Sequence, residues 1–298
     1  MNKKILVIVV TYNGEEWIEY CFSSLLLSNT PIDILCIDNN SNDNTVSLLK
    51  KNYPSVKLIQ SKENLGFGKA NNIGLEKCIL QSYDYAFLLN QDARIEPDTI
   101  NTLITIHSKN KSYGILSPIH RSFDNSRLDY NFSHYLRSNN TKDIISDFIL
   151  NEKIQEVYET EFVNAAIWLI SKECLEQVGF FNPIFPHYGE DDDFIFRTKQ
   201  LKFKVGIVPS AIGNHARYKV KNIQKNEDFN SKINRKYITL LIKYEKHQSA
   251  SKAKKISFFF RKFISALFDD LIMLDSRNFK INCIIHIRLF KETTRLSK

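Results

Sequence analysis

The chain has 298 residues, of which 43% are hydrophobic, so it can form one large α/β domain with an appendage or two small domains. Its five cysteines are scattered, odd in number and without CxxC spacing, which argues against a zinc site or a disulfide framework and indicates reduced thiols. No secretory signal is visible, and no apolar stretch reaches the roughly 18 residues that a membrane span needs. A cytoplasmic location is therefore expected.

The net charge of +8 is distributed unevenly along the chain. Residues 1–216 contain 21 basic and 26 acidic residues, whereas residues 217–298 contain 20 and 7. A strongly basic segment suits anionic lipid or nucleic acid. Because no nucleic-acid-binding module is visible, we expect peripheral contact with an anionic membrane and no nucleic acid partner.

The first 118 residues alternate apolar β-branched runs with amphipathic segments. The predicted strands are Ile5–Val10, Ile32–Ile37, Val56–Ile59, Tyr85–Leu89 and Gly114–Ser117. The predicted helices between them are Glu15–Leu27, Asn44–Lys51, Lys69–Leu80 and Pro97–Lys109. This alternation is typical of a parallel sheet with right-handed crossovers. The first strand is not followed by Gly-x-Gly-x-x-Gly, so no dinucleotide-binding fingerprint is present.

The second half of the chain is less regular. Residues 119–160 are polar and predict an irregular insertion with one amphipathic stretch near Ile144–Ile149. Beyond it, the sequence predicts strands at Phe162–Ile170 and Val205–Val208, a helix capped by Ser171, and a helix at Asp191–Lys202. Pro209 is expected to end the last strand, and the pattern is helical from residue 217 onward. Three segments result: 1–118, 119–216 and 217–298.

Polar residues follow each of the first four strands, at the edge where ligands collect in an open parallel sheet. They are Thr11-Tyr12-Asn13, Asp38-Asn39-Asn40-Ser41, Asn64-Leu65-Gly66-Phe67-Gly68 and Asn90-Gln91-Asp92. Each alone is explained equally well by ordinary turn chemistry. Four together favour a nucleotide-diphosphate site, with Asp38 accepting from base or ribose and Asp92 holding a divalent cation. His215 is either a further metal ligand or a structural histidine.

The run Gly189-Glu190-Asp191-Asp192-Asp193 places four carboxylates in succession. They repel one another unless they are solvated, hold a cation or titrate during a reaction. The simpler interpretation is an acidic helix N-terminus in which Asp193 pairs with Arg197 one turn later.

Taken together, these motifs resemble a family 2 glycosyltransferase with the GT-A fold, over residues 3–216. The matching segments are 9–13, 37–43, 64–72, 89–92, 179–181, 189–197 and 208–215. Within the family, the chain resembles the rhamnosyltransferase-like, non-processive branch. The Gln-x-x-Arg-Trp motif of processive synthases is absent, which favours addition of one sugar per encounter. The resemblance implies an α/β Rossmann-like, mostly parallel sheet flanked by helices, with a C-terminal helical extension.

The resemblance also implies roles for individual residues. Thr11, Asn13, Glu15 and Asp38 would contact the nucleoside. Asn64, Gly66 and Asn71 would line the donor pocket, where we also place Asn90 and Gln91. Asp92 would bind Mg²⁺ or Mn²⁺, and His215 is either a further ligand of that ion or a structural histidine. Asp92 ends the family's Asp-x-Asp motif, whose first position here is Asn90. Asp191, beside Glu190, would be the general base. Residues 1–118 would bind the nucleotide sugar and residues 119–216 the acceptor.

The implied reaction is inverting transfer of one sugar from a nucleotide-diphosphate sugar, such as dTDP-rhamnose or a UDP-sugar, to a hydroxyl of a glycan or lipid-linked acceptor in bacterial surface polysaccharide synthesis. A nucleotidyltransferase is a competing interpretation, although residues 10–27 contain no Lys or Arg to hold a triphosphate. A catalytically inactive nucleotide-sugar-binding scaffold at the membrane is another.

An apolar stripe at helical spacing runs along the basic segment. It comprises Ile256, Phe260, Phe263, Ile264, Leu267, Leu271 and Leu274. Such a helix either packs on the catalytic domain or lies at the cytoplasmic face of the inner membrane.

Overall fold

The computed structural model describes residues 3–137, 141, 143–185 and 188–216, together with 237, 240, 261, 264, 265, 280 and 282–287. The chain divides into two compact units, Met1–Lys219 and Val220–Lys298. The described positions of the second unit are helical, and Ile264 of the predicted apolar stripe is 45% exposed. The other stripe residues lie outside the described part of the chain. No helix among the described residues is long and apolar enough to cross a membrane.

The first unit is built on a mixed sheet. Its strands are β1 (Ile5–Thr11), β2 (Asp33–Asp38), β3 (Lys57–Gln60), β4 (Tyr85–Asn90), β5 (Ala93–Ile95), β6 (Tyr113–Arg121), β7 (Tyr158–Glu159), β8 (Ile167–Ser171) and β9 (Lys204–His215). Their order in the sheet is β3-β2-β1-β4-β8-β6-β9-β5, with β7 also beside β9. Neighbours within β3-β2-β1-β4 are parallel, as are β6 and β9. β8 is antiparallel to both β4 and β6, and β5 and β7 are antiparallel to β9.

Helices cover both faces of this sheet. They are α1 (Ile18–Leu26), α2 (Thr45–Asn52), α3 (Gly66–Leu80), α4 (Thr99–Lys109), α5 (Tyr130–Arg137), α6 (Ile144–Leu150), α7 (Lys172–Val178) and α8 (Glu190–Gln200), with a 3₁₀ helix at Glu15–Trp17 before α1. Leu6 and Ile8 of β1 pack into one hydrophobic cluster, and Ile5, Val7 and Val9 into the cluster on the opposite face. Burial on both faces explains why the β1 sequence is continuously apolar rather than alternating.

The structure confirms the alternating strands and helices predicted over the first 118 residues, with ends that differ by a few positions. The Ser171 cap is also confirmed, since its side chain accepts a hydrogen bond from the Cys174 N–H. The antiparallel placement of β8 was not indicated by the sequence.

The expectation that Pro209 ends the last strand is wrong. β9 continues to His215, and its register against β6 jumps from Val208 to Ile212, so Pro209 lies in an irregularity of the ladder. A proline is tolerated there because its missing N–H is not needed. The extension pairs His215 with Ala93 of β5, which carries His215 to the edge occupied by Asp92.

The expectation of an irregular insertion at 119–160 is also wrong for its described residues. β6 runs on to Arg121, and α5, α6 and β7 follow. Phe132, Ile144 and Tyr158 from this stretch are buried in the same hydrophobic cluster as β1. The amphipathic stretch predicted near Ile144–Ile149 is confirmed as α6. The polar sequence concealed α5 and β7, because each contributes only one or two core residues.

Candidate active site

Two loops at the carboxyl ends of β1 and β2 are joined by hydrogen bonds. The Asn13 N–H donates to Ser41 Oγ at 2.9 Å, and Asn13 Oδ1 accepts from the Asn42 N–H at 2.8 Å. Glu15 Oε2 accepts from the Asn44 N–H at 2.9 Å. These two sequence-predicted residues therefore hold the loops together, and both remain candidates for contact with the nucleoside.

Asp38 and Thr11 lie beneath these loops. Asp38 is 2% exposed and Thr11 is fully buried. Asp38 Oδ1 accepts from the hydroxyls of Thr11 and Ser41, and its Oδ2 accepts from the Ser41 N–H. A buried carboxylate needs such donors. The structure thus gives Asp38 a loop-organising position, and direct contact with a nucleoside stays a prediction.

Gln91 fixes the loop that follows β1. Its Oε1 accepts from the Tyr12 N–H at 2.9 Å, and its Nε2 donates to the Tyr12 carbonyl at 3.2 Å. A Cβ on Gly14 would collide with the Gln91 side chain. The sequence placed Gln91 in the donor pocket but gave no sign of this pairing with a backbone 79 residues away.

The loop before α3 is ordered by asparagines. Asn64 is exposed, and its Oδ1 accepts from the N–H of Gly66, whose φ of 77° suits glycine. Asn39 Oδ1 accepts a hydrogen bond from the Leu65 N–H, and Asn39 Nδ2 donates one to the Gly66 carbonyl. Asn71 is 2% exposed and donates to the Phe67 carbonyl one turn earlier, so it supports the helix from inside.

The start of α3 packs against the start of α8. A Cβ on Gly68 would lie 3.2 Å from the Phe181 Cβ, which is a tight contact, and 3.6 Å from the Glu190 Cβ, so glycine eases the close approach of Phe181. Asn72 Oδ1 accepts a hydrogen bond from the Phe181 N–H, and Asn72 Nδ2 donates one to the Phe181 carbonyl, both at 2.9 Å. Asn72 is a site-building residue that the sequence analysis missed, although it stands within the quoted Asn64–Asn72 motif. These contacts place the acidic run beside the loop before α3 and the first turn of α3.

The carboxylates of the acidic run have separate environments. Asp193 is 4% exposed and forms a 2.9 Å ion pair with Arg197, as the helix-terminus interpretation expected. Arg197 also donates to the Val178 and Phe180 carbonyls, which ties α8 to the end of α7. Asp193 is therefore engaged in a structural ion pair.

Glu190 and Asp191 both have raised pKa values. Burial, and then the neighbouring Asp191 charge, raise the pKa of Glu190 to about 7. Glu190 is 6% exposed, and its Oε2 atom has no hydrogen-bond partner. Burial, and then the Asp192 charge, raise the pKa of the half-buried Asp191 to about 6, against a hydrogen bond from the Ala165 backbone. A carboxylate with a pKa near neutrality is suited to accept a proton.

The acidic run and the loop that carries Asp92 approach each other at two consecutive residues, Ala165 and Ala166. Asp191 interacts with the Ala165 N–H, and the next carbonyl, that of Ala166, accepts from the Asn90 N–H at 2.9 Å. Asp92 follows Asn90 by two positions. The start of β8 therefore connects Asp191 to the loop that carries Asp92, although the two lie on segments distant in sequence.

Asp92 and His215 form the candidate metal site. Asp92 Oδ1 lies 3.3 Å from His215 Nε2, and Asn90 Nδ2 lies 3.4 Å from the same nitrogen. Two ligands about 2.1 Å from one cation, at a right angle, are about 3.0 Å apart. Asn90 Oδ1 is a buried acceptor without a hydrogen-bond partner. The oxygen and imidazole donors fit Mg²⁺ or Mn²⁺. Among the described residues, no group of three or more His, Cys, Asp or Glu side chains could hold a metal ion.

The parallel-sheet edge, the Asp92–His215 pair and the acidic run at the start of α8 agree with the GT-A glycosyltransferase that the sequence resemblance implies. The family model named Glycosyl transferase family 2 matches residues 6–179, and the chain belongs to that family.

Two curated relatives match over most of this chain. The hexosyltransferase Agl10 of low-salt glycan biosynthesis in Haloferax volcanii is 24% identical over 209 residues, which are 69% of this chain and 65% of that protein. The chain therefore spans just under two thirds of that relative. The N-acetylglucosaminyl-diphospho-decaprenol L-rhamnosyltransferase of Mycobacterium tuberculosis is 25% identical over 233 residues, covering 71% of this chain and 75% of that protein.

A solved structure supports the fold. The mannosyltransferase PcManGT from Pyrobaculum calidifontis, in complex with GDP-Man and Mn²⁺, has a TM-score of 0.60 and 16% identity, covering 100% of this chain and 81% of that chain. The GT-A fold is thereby confirmed.

Proposed function

We propose that this protein is a metal-dependent, inverting glycosyltransferase that moves one sugar from a nucleotide-diphosphate sugar to an acceptor hydroxyl. The observation that carries this proposal is the connection of Asp191 to the Asp92 loop through Ala165 and Ala166. It brings a carboxylate with a raised pKa and a carboxylate–imidazole pair to the same end of β8. Family membership favours this function over the nucleotidyltransferase alternative.

Asp191 takes the role of general base in this proposal. An acceptor hydroxyl has a pKa far above neutrality, so its proton must leave as it attacks the sugar. Asp191, ionised above about pH 6, accepts that proton, and one in-line displacement inverts the anomeric carbon. A single carboxylate at the reacting face suffices, in contrast with the pair that flanks the bond in a glycosidase.

Asp92 and His215, with Asn90 alongside, would hold the Mg²⁺ or Mn²⁺ ion, which supplies charge neutralisation at the departing diphosphate. The two loops that are joined by the hydrogen bonds of Asn13 and Glu15 would bind the nucleoside. The Asn64–Gly66 turn, with Asn71 supporting the helix behind it, would face the donor sugar.

We further propose that the donor is dTDP-rhamnose or a UDP-sugar and that the acceptor is a glycan or a lipid-linked sugar used in surface polysaccharide synthesis. The support is the name of the mycobacterial relative, which transfers rhamnose to a decaprenol-linked sugar. A lipid-linked acceptor would place the enzyme at the cytoplasmic face of the membrane, where the basic 217–298 segment would meet anionic lipid.

Turnover of a panel of nucleotide sugars tests this function. With Mn²⁺ present, we expect one or a few donors to stabilise the protein against heat and to release nucleoside diphosphate slowly. A protein that binds a nucleotide sugar but releases no diphosphate, even with lipid-linked acceptors, would be the inactive scaffold instead.

A further inference from the structure

His120 lies behind the candidate metal site without facing it directly. It is fully buried near the end of β6, and its ring lies edge-on to the ring of His215, with centroids 6.3 Å apart and planes at 86°. Edge-to-face pairs at this distance are a preferred arrangement of aromatic rings. His215 is 3% exposed and follows the bulge in β9, so its ring orientation depends on the neighbours that pack around it.

His120 is itself held from two sides. Its ring stacks on Phe132 of α5, with centroids 4.7 Å apart and planes at 24°. Its Nε2 lies 2.9 Å from Ser117 Oγ, whose single hydroxyl proton is donated to the Ile167 carbonyl at 2.9 Å. Ser117 and the Phe132 ring together hold the His120 imidazole in place.

The start of α5 completes this support. The Asp129 N–H donates to the His120 carbonyl at 2.9 Å, and Asp129 Oδ1 accepts from the Phe132 N–H at 2.8 Å. Asp129 thereby holds the first turn of α5 against β6, the strand that contains His120. This arrangement places the Phe132 ring on the face of the His120 imidazole. A continuous set of contacts runs from α5 through Phe132 and His120 to His215 and Asp92.

We infer that His120 is a positioning residue that fixes the ring of His215 for cation binding, and that α5 supports it through Phe132. This inference rests on the metal site of the proposed function. Groups that orient a metal-binding histidine typically change metal affinity 10–100-fold when they are removed. We assign His120 this role through its ring packing on His215, since the two ring centroids lie 6.3 Å apart.

Mn²⁺ binding to the full chain, followed by the electron paramagnetic resonance signal of free Mn²⁺, tests the inference. His120→Ala should weaken Mn²⁺ binding about 10–100-fold. His120→Phe, which keeps a flat ring between Phe132 and His215, should bind close to wild type. Leu136→Ala is the matched control, because Leu136 is also a buried residue of α5 but has no aromatic ring to stack on His120. It should lower thermal stability without changing Mn²⁺ affinity.

The ring signals of His215 in metal-free protein provide a second measurement that needs no metal. Carbon-13 NMR should show a single, well-dispersed His215 ring signal in the wild type and a broadened or averaged one in His120→Ala. Wild-type protein that does not bind Mn²⁺ would refute the metal part of the proposed function, and the ring signals would still decide the positioning role. Unchanged His215 signals in a folded His120→Ala variant would overturn the inference.

Discussion

Asp92 Oδ1 and His215 Nε2 lie 3.3 Å apart, although they come from the loop after β4 and the last residue of β9. A carboxylate oxygen and an imidazole nitrogen this close share either a proton or a cation. The backbone reinforces the pair, since the Ala216 N–H donates to the Asp92 carbonyl at 2.8 Å. The Asp92–His215 pair is thus held by a backbone contact as well as by its side chains.

Removing one partner of this pair should weaken donor binding. We expect Asp92→Ala to lose most of the Mn²⁺-dependent affinity for the nucleotide sugar. The variant lacks the Asp92 carboxylate and keeps only the His215 imidazole of this pair. Asp98→Ala is a control, since Asp98 is an acid outside the site whose side chain accepts from Asn29. Calorimetry with and without chelator measures the effect. Equal donor affinity in chelator would contradict metal dependence.

The acid that accepts the proton should be Asp191. Asp191→Asn keeps the size of the side chain but cannot take a proton, so we expect donor binding to persist and transfer to fall about 10²–10⁴-fold. Asp192→Asn, one residue along the same helix turn, is the matched control. If Asp192→Asn loses transfer and Asp191→Asn keeps it, the base is Asp192.

The pH dependence of transfer follows from the pKa of Asp191. Because that pKa is raised to about 6, Asp191 is protonated and inactive as a base below this value. We expect kcat/KM to fall about tenfold per pH unit below about pH 6 and to level above it. Donor affinity measured over the same range separates binding from chemistry. A flat profile between pH 5 and 7 would exclude a base with this pKa.

Glu190 should make the protein less stable as the pH rises. Its pKa is raised from 4.5 to about 7 in the folded state, so the folded protein binds more protons than the unfolded chain between these values. Stability is therefore lost as the pH rises through this window. Glu190→Gln should raise the Tm at pH 8, and the gain should shrink toward pH 5. Glu63→Gln, at an exposed position, should show no such trend. A pH-independent difference for Glu190→Gln would count against a raised pKa.

Much of the fold follows from the sequence because local patterns determine it. The apolar runs of β1, β2 and β4 and the capping by Ser171 depend on neighbours in the chain, and their predicted positions are confirmed. The extension of β9 past Pro209 depends on its pairing with β5 and β6, which no local pattern shows. The local preference of Pro209 alone therefore predicted an end of β9 that is too early.

In the candidate site, too, the sequence indicates individual residues but not the contacts between distant segments. The sequence picked out Asp92, His215 and Asp191 as residue types suited to metal and proton chemistry, and the structure places the first two in contact. The pairing of Asn72 with the Phe181 backbone and of Gln91 with Tyr12 joins distant segments. Such contacts become visible only once the topology is known. The roles of all these residues in catalysis stay predictions.

Membrane contact through the basic 217–298 segment is a separate expectation. Full-length protein should sediment with vesicles of anionic lipid at low salt and be released at high salt, because screening weakens the attraction. A chain ending near Lys246 is the comparison, since it lacks the predicted apolar stripe. If both forms stay in the supernatant at low salt, the segment does not bind membrane.

The stereochemistry of donor hydrolysis distinguishes a single displacement at the anomeric carbon from a double one. In the absence of an acceptor, water takes its place, and proton NMR detects the anomer of the released sugar before it equilibrates. We expect the wild-type protein with Mn²⁺ to release a sugar of inverted anomeric configuration together with nucleoside diphosphate, and Asp191→Asn to release far less. Release of a sugar with retained configuration, or undiminished release by Asp191→Asn, would contradict a single displacement assisted by Asp191.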